Sequence, residues 1–328
     1  MNDVDRAIQI LRDGGLVSFP TETVYGLGAD ATSASAVRKI FQAKGRPATN
    51  PLIVHIADST AARRYAPEWP TSAEKLAARL WPGPIALIVK KTPEIVDEAT
   101  AGLPTVALRA PDHPLAQALL RKFDGALAAP SANRSTGISP TTAEHVRQQL
   151  GEKVDLILDG GPCHVGIEST VLDLTATPPR ILRPGGIDRQ TIESIIGPVD
   201  LPEAIDDESQ PATSPGQQAV HYAPKTPSFR FDRNDSQHMA NHFQKSGGQL
   251  VAILPSDSPL LGLSAKVLIL IQMPAEPEAY ARRLYAALHE ADARNADSIW
   301  IELPPDTPAW HAVRDRIRRA TREAAGLF

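Results

Sequence analysis

Two cations, Lys44 and Arg46, stand in the segment AKGRPATNPLIVH, which joins a predicted helix to a predicted strand. Cationic side chains in a loop that a scaffold holds are good phosphate ligands, because their charge neutralises the phosphate oxygens. The same residues also fit a solvated helix end, where positive charge is mildly stabilising. The residues alone therefore leave a phosphate site and an exposed helix end both open.

Polar side chains also line two apolar strands. Thr105, Ala107 and Arg109 share one face of the strand TVALRA, and His55 shares a face with Ile53 in the strand PLIVHI. A strand face that carries an arginine needs either water or an anion beside it. A lined cavity and a sheet with one wet face are the two alternatives.

The run APSANRSTGISP follows one predicted strand and precedes a predicted helix. Because ligands of open α/β sheets bind beyond the carboxyl ends of strands, Ser131, Asn133 and Ser139 are candidates for polar ligand contacts. The segments GIEST and ILRPGG add Ser169 and Arg183 near strand ends. An ordinary loop with helix-capping residues is the alternative.

Two glycine patterns resemble nucleotide motifs but lack their context. GLGADA, Gly26 to Ala31, fits G-x-G-x-x-A, yet no strand ends at its first glycine, no helix begins at its last residue, and no acid follows about 20 residues later. GPCHVGIES has Ile167 and Glu168 where a P-loop requires Lys and Ser or Thr. We predict neither motif, and expect Gly26 and Gly28 to shape a turn.

The elements that position these residues divide near residue 200. The interval 199–228 is rich in proline and polar residues and lacks periodicity, which predicts a linker between domains at 1–198 and 229–328. This interval carries the whole net charge of −4, since the segments before and after it hold 21 and 12 residues of each sign. A globally basic nucleic-acid surface is not indicated.

The two segments have different strand patterns. Before the linker, strands alternate irregularly with amphipathic helices and some strands follow one another directly, which predicts a mixed sheet. After the linker, QLVAILP, VLILIQM and SIWIEL alternate with helices, which predicts a small three-layer unit with a parallel sheet. The strands of the first segment begin at Leu16, Pro51, Ile85, Thr105, Ala126, Val154 and Ser169.

Composition excludes several classes of protein. The first residues carry acid where a secretory signal needs base, and no apolar run approaches the roughly 18 residues of a membrane span, so we expect a soluble, cytoplasmic protein. The single cysteine, Cys163, excludes internal disulfides and multi-cysteine metal sites, and we expect it to be a small apolar filler. The charge run of the last helix predicts a solvated face, and because its arginines lie on different sides of the helix they form no single stripe. They are Arg314, Arg316, Arg318, Arg319 and Arg322.

Taken together, the motifs of the first segment resemble, in order and spacing, those of the YrdC-type threonylcarbamoyl-AMP synthases. The motif PGQQAVHYAPKTP is similar to the linker of the longer members of that family, and the rest of the chain fits their smaller C-terminal domain. The resemblance implies a YrdC-like twisted mixed sheet with flanking helices, a linker at 199–228 that closes over the active site, and a Rossmann-like α/β C-terminal domain. The motifs are PTETVYGLGADA, KGRP, NPLIVHI, WPGPIALIV, VALRAP, APSAN, SPTTAEHV, ILDGG, GIESTVLDL and ILRPGGI.

The resemblance further implies a nucleotidyltransferase that makes L-threonylcarbamoyl-adenylate and pyrophosphate from L-threonine, bicarbonate or CO₂, and ATP. The product feeds the threonylcarbamoyl transferase machinery that modifies the adenosine beside the anticodon of tRNA. A double-stranded RNA or tRNA-binding protein of the same fold without catalysis is the alternative. The related carbamoyl-adenylating enzymes of hydrogenase maturation need cysteine-rich zinc elements, which one cysteine cannot supply.

The family's site residues carry over motif by motif. The resemblance implies that Lys44 and Arg46 are catalytic, that Mg²⁺ is held mainly through the ATP phosphates, and that weak tRNA binding is possible. It places L-threonine on Thr23, His55, Arg109, Ala129 and Ser169. It places ATP on Lys44, Arg46, Asn50, Thr105, Ser131, Asn133, Ser139, Arg183 and, in the linker, Tyr222.

Overall fold

The protein is described by a computed structural model for residues 3–201, 221–263 and 268–324. Two compact units are distinguished, Met1–Ser135 with Ser139–Ala219, and Thr136–Ile138 with Val220–Phe328. Within the predicted linker 199–228, residues 202–220 lie outside the described residues, as does the predicted closure over the active site. Residues 221–228 of that interval belong to the second unit.

The first unit is built on one sheet of nine strands. Parallel and antiparallel pairs occur in it, so the predicted mixed sheet is confirmed. All seven predicted strands are present, and β2 and β9 are additional. The strands are β1 (Val17–Phe19), β2 (Gly26–Asp30), β3 (Ile53–His55), β4 (Ile85–Lys90), β5 (Thr105–Arg109), β6 (Leu127–Ala128), β7 (Leu156–Ile157), β8 (Thr170–Asp173) and β9 (Arg180–Arg183). Their order is β7-β1-β2-β6-β3-β5-β4-β8-β9.

Helices flank this sheet. Ser33 caps the helix that ends at Lys44 by accepting a hydrogen bond from Ala36 N, and Gly45 ends that helix in the left-handed conformation at φ 62°. Lys44 therefore stands at a sharply defined helix end. The helices are α1 (Asp3–Arg12), α2 (Ala34–Lys44), α3 (Ser59–Tyr65), α4 (Thr71–Leu80), α5 (Asp97–Thr100), α6 (Pro114–Phe123), α7 (Ala143–Leu150) and α8 (Arg189–Ile196).

The expected turn at Gly26 and Gly28 is wrong, because both glycines lie in strand β2. Strand β2 pairs antiparallel with β1, where Phe19 is opposite Gly26 and Val17 is opposite Gly28. A Cβ at Gly28 would lie 2.7 Å from the Phe19 ring, and one at Gly26 would lie 3.5 Å from it. The missing side chains thus make room for the buried Phe19 ring on the neighbouring strand.

The two faces of the sheet bury separate apolar clusters. Leu52, Val54 and Leu108 belong to the main core with residues of α2, while Ile53 and Ala107 lie in a small cluster on the opposite face. This alternation agrees with the period-two pattern of the sequence. Cys163 is buried in the main core, as expected of an apolar filler.

The second unit contains a five-stranded sheet in which every recorded pair is parallel, which confirms the predicted parallel sheet. The order is β12-β11-β13-β10-β14. Its central helix buries Tyr280, Leu284, Leu288 and Ala291 at helical spacing. The strands are β10 (Ser228–Phe231), β11 (Leu250–Pro255), β12 (Leu268–Met273), β13 (Ser298–Glu302) and β14 (Arg322–Glu323), and the helices are α9 (Ser236–Lys245), α10 (Pro277–Asp292) and α11 (His311–Ala320).

The solvated arginine face predicted for α11 is wrong for two of its residues. Arg314 is buried, and the Arg316 side chain is 0% exposed. Arg316 pairs with Asp315 at 2.6 Å, and its guanidinium carbon lies 5.3 Å from the centre of the Tyr222 ring. A stacked and paired arginine tolerates burial because its charge is compensated on the ring face and at the carboxylate.

The described residues contain no helix that is both long and apolar enough to cross a lipid bilayer.

Candidate active site

Strands β3 and β5 bring His55 and Arg109 together. The two strands are parallel, with His55 opposite Arg109 in the register. Both residues extend the face that carries Ile53 and Ala107, and both are buried. The wet face that was one alternative for these strands is therefore excluded at these two positions.

The environment of His55 favours its neutral form. Burial lowers the pKa of His55 well below its ordinary value, and the charge of Arg109 lowers it further against a backbone hydrogen bond at Ile53 that raises it. Its ring meets the Phe19 ring edge-on, with the ring centres 6.0 Å apart. His55 thus offers a neutral imidazole beside a cationic guanidinium.

Thr21 and Thr23 of the segment PTETVY form a hydrogen-bonded network with Arg109. Arg109 Nη2 donates to Thr23 Oγ1 at 2.9 Å, and the hydroxyls of Thr21 and Thr23 are 2.8 Å apart. Thr21 also donates to the carbonyl of Val24 at 2.6 Å. Thr21 has one hydroxyl proton, so the hydrogen bond between the two hydroxyls is donated by Thr23.

A second partner of Arg109, Glu22, was missed by sequence reasoning. Glu22 Oε1 lies 2.8 Å from Arg109 Nη2, and the side chains are 1% and 4% exposed. A polar TET run gives no sign that its acid is buried, since acids in such runs are usually solvated. The signal that points to Glu22 is its position next to Thr23, in the segment that joins strands β1 and β2.

Strand β2 and the residue before it pair with the run 129–133, which carries Ser131 and Asn133. Leu27 N donates to Pro130 O and Ala132 N donates to Tyr25 O, each at 2.8 Å, while Gly26 and Ser131 form a bridge. On its other side, Ala129 N donates to Ile53 O at 2.9 Å. The run 129–133 therefore passes directly from strand β3 to the helix end at Lys44.

Lys44 is bonded to the backbone of that run. Its Nζ donates to Ser131 O at 2.6 Å and also to Asn133 O, and the Lys44 carbonyl accepts from Ser135 N at 2.8 Å. Burial lowers the pKa of Lys44 well below its ordinary value of 10.5, and the charge of Arg46 lowers it further. The exposed helix end that was the alternative for Lys44 is excluded by this burial.

Arg46 and Asn50 are buried in the loop that follows α2. Arg46 Nη2 donates to Pro51 O at 3.3 Å, and Asn50 N donates to Pro47 O at the same distance. A small pocket opens beyond Pro51, where Thr105 is part of its lining. The charge of Arg46 disfavours the charged form of Lys44, and an anion beside both groups would offset this repulsion.

A third group of predicted residues lies at strands β8 and β9. Ser139 Oγ donates to Glu168 at 2.6 Å, so the loop that carries Ser139 is held against the GIEST segment. Arg183 donates to Ser169 O from Nε at 3.1 Å and from Nη2 at 2.9 Å, and to Ser169 Oγ at 3.2 Å. Glu168 is the second acid that sequence reasoning missed.

The remaining predicted residue, Tyr222, belongs to the second unit. It is 1% exposed, has φ 63°, and packs against Tyr285 with ring centres 5.6 Å apart. Its contact with ATP stays a prediction.

No group of three or more His, Cys, Asp or Glu side chains is placed to share a metal ion in the described ranges 3–201, 221–263 and 268–324.

Two family models match this chain. The Sua5, YciO and YrdC model, described as "Telomere recombination", matches residues 9–185, and the model described as "Threonylcarbamoyl-AMP synthase, C-terminal domain" matches residues 187–322. The chain belongs to the threonylcarbamoyl-AMP synthase family. The predicted family, in its two-domain form, is thereby confirmed.

Members of the family match almost the whole chain. The threonylcarbamoyl-AMP synthase of Bacillus subtilis is 42% identical over 320 residues, covering 97% of this chain and 92% of that protein. That of Pyrococcus abyssi is 40% identical over 323 residues, covering 96% and 93%. The crystal structure of P. abyssi Sua5 complexed with L-threonine has a TM-score of 0.89 and 38% identity, covering 97% of this chain and 94% of that one. These likenesses agree with the predicted fold class.

Proposed function

We propose that this chain synthesises L-threonylcarbamoyl-AMP and pyrophosphate from L-threonine, bicarbonate or CO₂, and ATP. The observation that supports this most strongly is the run 129–133, which begins beside the strand of His55 and ends on Lys44. A site for a small polar molecule and a site for phosphates are thus neighbours on one backbone segment. That arrangement suits a reaction that joins an amino acid derivative to a nucleotide.

The chemistry requires positioning and charge compensation. The ammonium group of threonine first gives a proton to water, and the resulting amine attacks the carbon of CO₂ and loses a second proton to water to give a carbamate. An oxygen of this carbamate displaces pyrophosphate from the α-phosphate of ATP. Lys44, Arg46 and Arg183 stabilise the negative charge that builds up on the phosphate oxygens. Thr23, His55, Arg109, Ala129 and Ser169 hold the amino acid.

ATP also contacts further polar groups of the chain. We assign Asn50, Thr105, Ser131, Asn133 and Ser139 to the nucleotide, with Tyr222 from the second unit as a further contact. Mg²⁺ bound with ATP would be held mainly by phosphate oxygens and water, and it would neutralise charge on the phosphates. None of the side chains above is assigned to the metal.

The product suits transfer to tRNA. A mixed anhydride of a carbamate and AMP is an activated acyl donor, so a transferase that modifies adenosine beside the anticodon is the partner we assign to it. We further assign the protein to the cytoplasm, where that tRNA is found. We also propose that the protein itself binds tRNA weakly.

The proposal is tested by pyrophosphate release in the presence and absence of L-threonine. Arg46→Ala removes a buried cation and is expected to lower the threonine-dependent rate by at least about 100-fold, as loss of one group that stabilises transition-state charge does. Arg38→Ala, on the exposed side of α2, is the matched control and keeps the rate. Threonine-dependent release at the wild-type rate from folded Arg46→Ala would refute the phosphate assignment.

A further inference from the structure

We propose that Glu22 receives the α-ammonium group of the amino-acid substrate and selects amino acids over carboxylic acids that lack the amine. The inference rests on the proposed function, since threonine is the ligand that the function supplies. It adds a specificity-determining residue that neither the sequence motifs nor the charge pattern indicated.

The ion pair of Glu22 and Arg109 is incomplete on both sides. Both residues are almost fully buried, and one contact, at 2.8 Å, joins them. Within the described part of the chain, neither carboxylate oxygen of Glu22 accepts a hydrogen bond, and Arg109 Nε donates none. A carboxylate has about four acceptor positions and a guanidinium has five N–H donors, so the pair holds open acceptors beside open donors. Buried polar groups without partners are rare in folded proteins, and a bound ligand that pairs with them is one physical reason for them.

A zwitterion satisfies both halves of this pair. The carboxylate of an amino acid accepts hydrogen bonds from Arg109, whose Nε has no partner within the described residues, and its ammonium donates to Glu22. A simple anion would satisfy Arg109 alone and would lie close to the negative charge of Glu22, which is unfavourable in a buried site. The pair therefore recognises both charges of one small molecule.

The hydroxyl of Thr23 adds a second acceptor for the ammonium. Thr23 donates its proton to Thr21, because the proton of Thr21 is used on the carbonyl of Val24 at 2.6 Å. Thr23 Oγ1 then accepts from Arg109 at 2.9 Å and keeps one lone pair. Since Glu22 and Thr23 contact the same nitrogen of Arg109, their free acceptors lie within reach of one ammonium group, which has three N–H donors.

The titratable groups near Glu22 do not provide a competing positive charge. Burial, with the charge of Glu22 second, raises the pKa of the Cys163 thiol to about 12. Burial lowers the pKa of His113, although the charge of Glu22 raises it. Burial also lowers the pKa of His55. At neutral pH the thiol and these imidazoles are uncharged. The positive charges that act on Glu22 are therefore those of Arg109 and of the bound ligand.

The test compares two ligands that differ in the amine. Calorimetry gives the dissociation constants of L-threonine and of (R)-3-hydroxybutanoate, which keeps the carboxylate and the hydroxyl, for the full chain and for Glu22→Gln. We expect Glu22→Gln to weaken threonine binding by at least about tenfold, as loss of a buried charge partner does, and to leave 3-hydroxybutanoate binding unchanged or tighter. The Glu22→Asp variant keeps the charge and restores the preference for threonine.

Two results would overturn the inference. If Glu22→Gln weakens both ligands by the same factor, Glu22 only holds Arg109 in place. If it weakens neither, the carboxylate does not contact the ligand. Cys163→Ala is the matched control for altered packing beside Glu22, and thermal melting verifies that each variant is folded. A wild-type protein that binds neither ligand and forms no adenylate would instead count against the proposed function.

Discussion

Nucleotide binding is expected to be accompanied by the uptake of one proton at Lys44 Nζ. Replacement of Lys44 by methionine should abolish this uptake. In the free protein, burial and the neighbouring Arg46 hold the pKa of Lys44 well below 10.5, so Nζ is neutral at a pH above that lowered pKa. Phosphates beside Nζ favour the ammonium form and raise the pKa again. Between the two pKa values, binding therefore takes up one proton in the wild type and none in Lys44→Met.

The size of the effect follows from proton linkage. One proton taken up on binding makes the affinity fall by about tenfold for each pH unit of increase, or about 1.4 kcal/mol. The variant also loses the hydrogen bonds from Nζ to Ser131 O and Asn133 O, each of which contributes about 1 kcal/mol to stability. Because the variant has no ammonium group to pair with the phosphates, its nucleotide affinity is lower, and it is independent of pH in this window.

The assay is calorimetry with α,β-methylene-ATP and Mg²⁺ in buffers of different ionisation enthalpy. Working above about pH 8 keeps the terminal phosphate fully ionised, so its own titration adds nothing. Lys39→Met is the matched control, because Lys39 lies on the exposed side of the same helix. Equal proton uptake by the wild type and Lys44→Met would refute the assignment of the phosphates to Lys44.

Two further predictions concern stability. Gly28→Ala places a Cβ 2.7 Å from the Phe19 ring and should lower the free energy of unfolding in urea by about 1–3 kcal/mol. Gly247→Ala, which meets nothing within 4 Å, should leave it unchanged, and equal effects would contradict this packing. Arg316→Leu should destabilise the second unit by about 3 kcal/mol, since Asp315 and the Tyr222 ring lose a buried partner. Arg318→Leu, 53% exposed, is its control, and equal melting of the two variants would show that burial of Arg316 contributes nothing.

The apolar strands of both sheets could be predicted because their patterns are local. Runs such as IALIVK and LVAILP are long enough to show strand character by themselves, and the structure has β4 and β11 there. Strand β2 could not be predicted, because the glycines of GLGAD are weak strand formers in isolation. They become strand residues only where the Phe19 ring of β1 covers them.

The buried charges were the least predictable part of the site. Glu22 and Arg316 stand in polar or charged runs, which are usually solvated, and partners distant in the sequence bury them. Arg109 compensates the charge of Glu22, and the Tyr222 ring compensates that of Arg316. No local sequence pattern shows these partners. By contrast, the shared faces of His55 with Ile53 and of Arg109 with Ala107 follow from strand alternation, and the structure has both.

Threonine-dependent adenylate formation is tested most directly with purified protein, labelled bicarbonate, ATP and Mg²⁺, with and without L-threonine. We expect label to enter an adenylate only when threonine is present, with pyrophosphate released in equal amount. Serine should replace threonine poorly. Labelled adenylate formed equally well from serine, or without any amino acid, would contradict the claim that this site joins threonine to a nucleotide.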